Sequence, residues 1–399
     1  MKHLTRASSV TALMTLACLC GNSADASPLY TLTTIDGPNP GLGGEFTFVQ
    51  AISDKHMIVG FAFPNDPCTN AFLFDGSTFT RIQPPPPFAP CIQATGVNND
   101  GKIVGTYGDG QVPGGGGGFL LFKGAFSSVG PLVVPPFLGP RTLPQGISNS
   151  GLIVGNFIDT SGQSQGFVDI GGSFFYFNVA GAQSTFTHGI NDIGEVAGNF
   201  VDGTGGTHGY VDFWGFTKRF DFPGAQATVA NGINDLSTVV GSYTDGANLQ
   251  HGFVLGRTGF TTFDVPGAFA TQLAGINNRG QIVGSYNKSQ FHGFRADPVT
   301  SMAVAGPVRL GAPSIKVIIP SAPRFDAGTI DTASVTFGHA GTEASLAACQ
   351  ALAGSGGLAC TFSTSVSALQ CGDTQATLNG KLIDGTPIRG SDDIRIAGC

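Results

Sequence analysis

Charge is what this chain has least of. Asp, Glu, Lys and Arg make up 11% of its 399 residues, and the formal net charge is −7. No Lys/Arg cluster is present to neutralise a phosphate backbone or an anionic membrane, so nucleic acid is excluded as a partner. Tryptophan is nearly absent, and past residue 20 no apolar run is long enough to span a bilayer. The sequence has no G-x-S-x-G elbow, no H-E-x-x-H helix and no EF-hand loop. Gly96-Val97-Asn98-Asn99-Asp100-Gly101-Lys102 matches most of a phosphate loop. However, Ile103 stands where a hydroxyl should meet magnesium, and no helix follows. Low charge does not imply disorder here, because 41% of the residues are hydrophobic and can supply a core.

Glycine (61) and phenylalanine (32) are abundant, and they recur in a pattern. Six copies of one phrase run from Ala51-Ile52-Ser53…Ile58-Val59-Gly60 to Gly275-Ile276-Asn277…Ile282-Val283-Gly284. Their closing glycines are Gly60, Gly105, Gly155, Gly198, Gly241 and Gly284. The spacing settles to about 43 residues, within the range of a propeller blade built only of strands and turns. In the clearest copy, Phe260–Val265, Thr271–Ile276, Gln281–Tyr286 and Phe291–Ala296 form four short strand-like runs, punctuated by Pro266-Gly267 and Asn277-Asn278-Arg279-Gly280. The fold class expected is all-β: a six-bladed β-propeller over residues 27–297, four short antiparallel strands per blade, followed by a small disulfide-bonded β-sandwich. In this register Tyr30–Asp36 opens the first blade. Pro-rich Gln83–Pro90 and Val129–Pro144 lengthen the second and third blades, and such insertions collect on one face, often the binding face.

The N-terminus reads as an export signal. Lys2, His3 and Arg6 precede the mostly apolar stretch Ala7–Cys20, and Ala24-Asp25-Ala26 offers a cleavage site. Residues 1–26 are therefore expected to be removed, and the protein to be secreted or to reside at the cell surface or in the periplasm. Six cysteines remain, an even number that in an exported chain reads as structural disulfides. Cys68 and Cys91 stand alone in the repeats and are expected to pair. The other four are assigned Cys349 with Cys360 and Cys371 with Cys399. Residues 298–313 read as a linker. Within 314–399, Ser314–Ile319, Ser334–Phe337, Cys360–Phe362, Ala376–Leu378 and Ile394–Ile396 read as strands of the sandwich.

His208-Gly209-Tyr210, His251-Gly252-Phe253 and His292-Gly293-Phe294, with the Gly-Ile-Asn and Ile-Val-Gly blocks, resemble the bacterial extracellular HAF repeat family. Gly follows His where that motif has Ala. The first three copies replace His altogether, as Asn70-Ala71-Phe72, Gly117-Gly118-Phe119 and Gln165-Gly166-Phe167. The resemblance covers residues 29–297 and implies a secreted propeller-like protein without a settled activity. The C-terminal segment resembles a module common in bacterial exported proteins, through Phe325-Asp326, Val335-Thr336-Phe337-Gly338, Gly372-Asp373-Thr374 and Gly390-Ser391-Asp392. That module's calcium loop has no counterpart here, because Cys349–Cys360 holds no carboxylate.

Candidate site residues are few. His188, His208, His251 and His292 lie in successive late copies, and imidazoles meeting near an axis could hold zinc or copper. The competing reading has each His, at the same strand start, capping the backbone of a neighbouring blade, and no metal or cofactor is expected. Asp221 and Asp264 precede Pro-Gly turns, which suits turn capping better than acid–base work. Trp214, the only tryptophan, could stack on a glycan or pack at a blade edge. The function expected is that of a monomeric, exported, non-enzymatic binding or scaffolding protein, with loops turned toward extracellular carbohydrate or protein. The alternative is a propeller hydrolase or lyase acting on polysaccharide.

Overall fold

The computed structural model describes residues 27–37, 46–63, 70–85, 91–108, 116–130, 141–159, 162–257, 259–321, 325–352 and 356–398. The signal peptide, Cys68, Cys399 and most of the Pro- and Gly-rich insertions lie outside the described residues. Only one turn of 3-10 helix, Ala327–Thr329, interrupts an all-β chain there.

The repeats fold into four-stranded antiparallel units. The first comprises Phe46–Ile52, Ile58–Phe63, Asn70–Phe74 and Phe79–Arg81. The second holds Cys91–Val97, Ile103–Gly108, Gly117–Phe122 and Ala125–Val129, and the third Arg141–Ile147, Ile153–Ile158, Ser164–Ile170 and Ser173–Phe177. The fourth runs through Ser184–Ile190, Glu195–Val201, Thr207–Phe213 and Phe216–Phe220, and the fifth through Ala227–Ile233, Val239–Thr244, Gln250–Gly256 and Gly259–Phe263. Each strand pairs with the next along the chain. The last unit takes Ala270–Ile276, Ile282–Asn287 and the first half of Phe291–Val304. Its outer strand comes from the other end of the chain: Ser27–Ile35 pairs antiparallel with Phe291–Val304, Ile35 opposite Gly293.

That closure corrects the repeat boundaries expected above. Each aromatic run follows the His-Gly-aromatic strand across a tight hairpin, so it pairs backward and forms the outer strand of the preceding unit. Phe260–Val265 thus belongs with residues 227–256, and Tyr30–Ile35, which has no strand before it among the described residues, completes the last unit instead of opening the first. The boundary expected at residue 297 also moves. Phe291–Val304 is one 14-residue strand passing through it, and the expected linker begins within that strand because Ser27–Leu29 pairs along its second half.

Packing within a unit follows from the Ile-Val-Gly phrase. Its glycine lies directly opposite the aromatic of the third strand in every unit: Phe72, Phe119, Phe167, Tyr210, Phe253 and Phe294. All six rings are buried. A Cβ on Gly241 would sit 2.0 Å from the Val229 carbonyl oxygen and 2.8 Å from the Phe253 ring, so glycine makes room for the ring.

At the inner end, the turn after each first strand joins its neighbours in a collar. Asp54 N–H donates to Asn99 Oδ1, Asn99 to Asn149, Asn149 to Asp192, Asp192 to Asp235, Asp235 to Asn278, and Asn278 back to Asp54, at 2.6–2.8 Å. The ring of bonds is closed, and it places the units around one axis, as in a β-propeller. Asn98 Oδ1, within the phosphate-loop lookalike, accepts from Asp100 and Lys102 N–H as an ordinary turn.

The chain's second part grows from the same closing strands. Ala303 and Val304 pair with Ser314–Ile319, which pairs with Leu358–Ser363, itself paired with Leu346–Ala351. A second set, Ile330–Gly338, Gln375–Leu382 and Pro387–Asp393, ends on Ser27–Ile35. Met302, Val317, Phe337, Phe362, Leu378 and Ile388 form their common apolar core. Ile396–Ala397, in place of Ile394–Ile396, forms a short parallel pair with Val308–Arg309. The Cys349–Cys360 disulfide is present, and Cys91 and Cys371 are also disulfide-bonded.

If the collar holds the units together, Asp54→Ala, which deprives Asn278 N–H and the Asn99 amide of their acceptor and leaves the Asn278 amide only Asp235, costs about 1–3 kcal/mol. Asp100→Ala, at the exposed turn residue that follows Asn99 of the collar, costs under about 0.5 kcal/mol. Urea unfolding of the two variants makes the comparison, and equal midpoints would remove the collar from the account.

Candidate functional site: a cleft beside Trp214

The three sequence-matched histidines do not meet. Each is held in its own unit at the start of the third strand. His208 Nδ1 lies 3.0 Å from Asp221 and Nε2 3.3 Å from Asp202, with the ring against Phe200. His251 repeats this with Asp264 (2.8 Å), Asp245 (3.4 Å) and a stacked Tyr243. His292 meets Asp36 at 2.9 Å and stacks on Tyr286. The aspartates before the Pro-Gly turns are therefore the partners of these rings, tying the outer strand to the third. Among the described residues no group of three His, Cys, Asp or Glu is placed to hold a metal ion.

Two of these clamps favour the protonated ring. For His251 the hydrogen bond to Asp264 raises the imidazole pKa above its usual 6.5 against the opposing effect of burial. At His208 burial opposes the charge, but bonds to Asp221 and Asp202 outweigh it and the pKa again rises. The Thr204 hydroxyl and the Gly206 and Thr204 N–H groups hold the Asp202 carboxyl well below the usual range.

Trp214 occupies a different kind of place. It forms, with Gly215, the two-residue turn between Thr207–Phe213 and Phe216–Phe220, and both residues have positive φ, 51° and 93°. The matching position holds Gly171 (φ 60°) in the third unit and Lys123 (φ 50°) in the second. A bulky side chain in this region is strained, and strain of this sort concentrates at functional sites. Asp212 secures the turn, its Oδ1 accepting from Gly215 N–H at 2.8 Å and its Oδ2 from the Thr217 hydroxyl at 2.7 Å. The indole lies over Gly194, where a Cβ would come within 3.1 Å of Nε1.

Between this hairpin and the outer strand of the third unit lies a cavity of about 240 Å³. Trp214, Tyr176 and Phe175 flank it, Leu152, Val168 and Val196 line its depth, and Asn178, Asp212 and Thr217 add polar atoms. Trp214 is 61% exposed, Phe175 58% and Tyr176 48%, although aromatic rings of this size are usually well buried. The indole N–H makes no hydrogen bond within the described residues. Apolar depth, aromatic walls and a few convergent polar groups describe a small-molecule site. Of this cleft only Trp214 was legible as a candidate. Asp212 and Gly194 act through its turn and its seat, and Tyr176 arrives from another unit.

No family model and no curated protein matches this chain. Among solved structures it is similar to the SapL1 lectin in complex with α-methyl fucoside, at 10% identity and TM-score 0.41, covering 61% of this chain and 88% of the lectin. A lectin from Aleuria aurantia, described as a six-bladed β-propeller with a novel mode of fucose recognition, aligns at 10% identity and TM-score 0.31, over 60% and 78% of the two chains. A fungal alcohol oxidase of the AA5 family in complex with copper aligns at 11% identity and TM-score 0.35, over 93% and 100%. The fold stands on the sheet pairing and the closed collar, and no ligand or reaction passes from these proteins to this chain.

The clamps make one sign-defined prediction. A base whose folded pKa is raised gives its full stability below the unfolded pKa and loses it as pH rises through the folded value. The stability difference between wild type and His251→Gln therefore shrinks as pH climbs from below the usual imidazole value of 6.5 through the raised one. Thermal melts across that range read it, and a constant difference would mean that the ring acts only as a neutral spacer.

Proposed function

We propose that this chain is an exported, non-enzymatic, carbohydrate-binding protein of the HAF-repeat kind, a six-bladed β-propeller with a C-terminal β-sandwich, whose binding site is the cleft beside Trp214. The observation that carries this reading is the strained, exposed indole lining a largely apolar cavity together with Tyr176. A sugar ring presents one C–H face that suits an aromatic plane and hydroxyls that suit the indole N–H, Asn178 and Asp212. The apolar floor and the absence of Lys or Arg from the lining favour a neutral sugar over an acidic one. The clustering of exposed Ile170, Phe175, Tyr176, Ile193, Phe213 and Phe216 about the same two units supports a surface that meets an extended partner, a role that fits a polysaccharide better than a free monosaccharide.

The hydrolase or lyase alternative needs a carboxylate and a base converging from unlike positions. The His–Asp contacts instead recur at one position in three successive units, as a repeated clamp does.

A glycan array probed with the mature protein tests the proposal, with Trp214→Gly as the informative variant. Glycine relieves the positive-φ strain, so the variant's melting temperature stays equal or rises, by the equivalent of about 1 kcal/mol. Glycan capture falls at least about tenfold. An array without signal, or capture unchanged in Trp214→Gly, would overturn the reading.

A further inference from the structure

A second cavity, of about 260 Å³, lies on the propeller axis. It is lined at one repeated position. In every unit the first strand slips register against the second just before the Gly-Ile-Asn phrase, leaving one extra residue: Gln50, Thr95, Gln145, His188, Asn231 and Ala274. Such bulges re-aim a side chain and are frequent beside binding sites. All six bulged residues line the axial cavity, together with Gln272 from the unit whose bulge is Ala274.

Two of the polar side chains are tied down in part. The Thr95 hydroxyl donates to the Pro144 carbonyl, and the Asn231 amide donates to the Leu273 carbonyl, which leaves Asn231 Oδ1 open. His188 Nε2 bonds Asn199 Oδ1 at 2.8 Å, and burial pushes its pKa down. The ring is therefore neutral, donates through Nε2–H and keeps Nδ1 as an acceptor. The side-chain amides of Gln50, Gln145 and Gln272 make no hydrogen bond to any described residue, so three primary amides stand ready, each with donors and an acceptor.

The lining excludes most ligand classes. It contains no Asp, Glu, Lys or Arg, so an ion entering it would lose water without finding a counter-charge. Anions are further opposed by the collar at the turn end of the axis, which carries Asp54, Asp192 and Asp235. A purely apolar guest would leave the amides unpaired. The volume is below the roughly 300–1,000 Å³ typical of drug-sized pockets. We infer that the axial cavity is a binding site for a small, neutral, polyhydroxylated molecule of monosaccharide or cyclitol size, held by the amides of Gln50, Gln145 and Gln272 with His188 Nδ1 as an acceptor. The site is separate from the Trp214 cleft and does not rest on it.

The test is a titration of the mature protein, labelled with nitrogen-15 in its glutamine side chains, with D-glucose, D-galactose, L-fucose and myo-inositol in turn. The amide signals of Gln50, Gln145 and Gln272 should move together and saturably in the millimolar range with at least one probe. Gln145→Leu should weaken that response about tenfold, while Trp214→Gly leaves it intact. If Gln145→Leu does not fold, Gln50→Leu takes its place. Signals unmoved by all four probes, movement confined to glutamines away from the axis, a response abolished by Trp214→Gly, or a leucine variant titrating like wild type would each overturn the inference.

Discussion

Backbone meets backbone around the axis. A Cβ on Gly96 would stand 3.1 Å from the Cα of Gly146, one on Gly189 3.0 Å from Gly232, one on Gly232 3.0 Å from Gly275, and one on Gly275 3.2 Å from Ala51. First strands from successive units can crowd one line only because these positions carry no side chain larger than a methyl. Much of the remaining structure follows from that crowding. The bulge just before each of these residues accommodates the crowding and delivers one side chain per unit toward the axis. The turn just after it brings an Asp or Asn to the preceding unit's backbone N–H, and the collar closes.

Closure at the outer edge has a different chemistry. The last unit would present a bare third strand if the chain ended there, and exposed edges invite unwanted pairing. Ser27–Ile35 covers it, and it also takes Pro387–Asp393 on its other side at Leu29–Thr31. One strand thus serves the ring and the C-terminal part. Arg389 secures the junction, buried with its guanidinium bonded to Asn379 Oδ1 and lying over the Phe263 ring of the fifth unit. Gln375 accepts from Thr262 N–H on that same outer strand. The segment that begins right after the expected cleavage site is thereby paired along both edges.

The all-β class and the repeat were legible because strand period, Asn-rich turns and Ile-Val-Gly recur with little noise between residues 146 and 284. Strand order within a repeat was not. A periodic sequence has no natural beginning, and only the pairing of Ser27–Ile35 with Phe291–Val304 reveals where the ring is cut. The site was legible in part. Trp214 is conspicuous as the only tryptophan, but its positive φ and its distance from the histidines are properties of a turn and of unit packing. The histidines looked like ligands because they share a position. Sharing a position in a radial fold separates side chains unless they point inward, and these point along their own sheets toward Asp221, Asp264 and Asp36. The residues that do point inward, Gln50, Gln145 and Asn231, differ from copy to copy and so escape any search for sameness.

Because Trp214 is the single tryptophan, its fluorescence reports on one place in the molecule. The most direct measurement is its emission during titration with neutral oligosaccharides. Stacking of a sugar face on the indole and displacement of water from the cleft predict a saturable change in intensity, with the emission maximum moving to shorter wavelength. Emission unchanged at saturating concentrations of oligosaccharides that the protein demonstrably captures would place carbohydrate elsewhere and contradict the account.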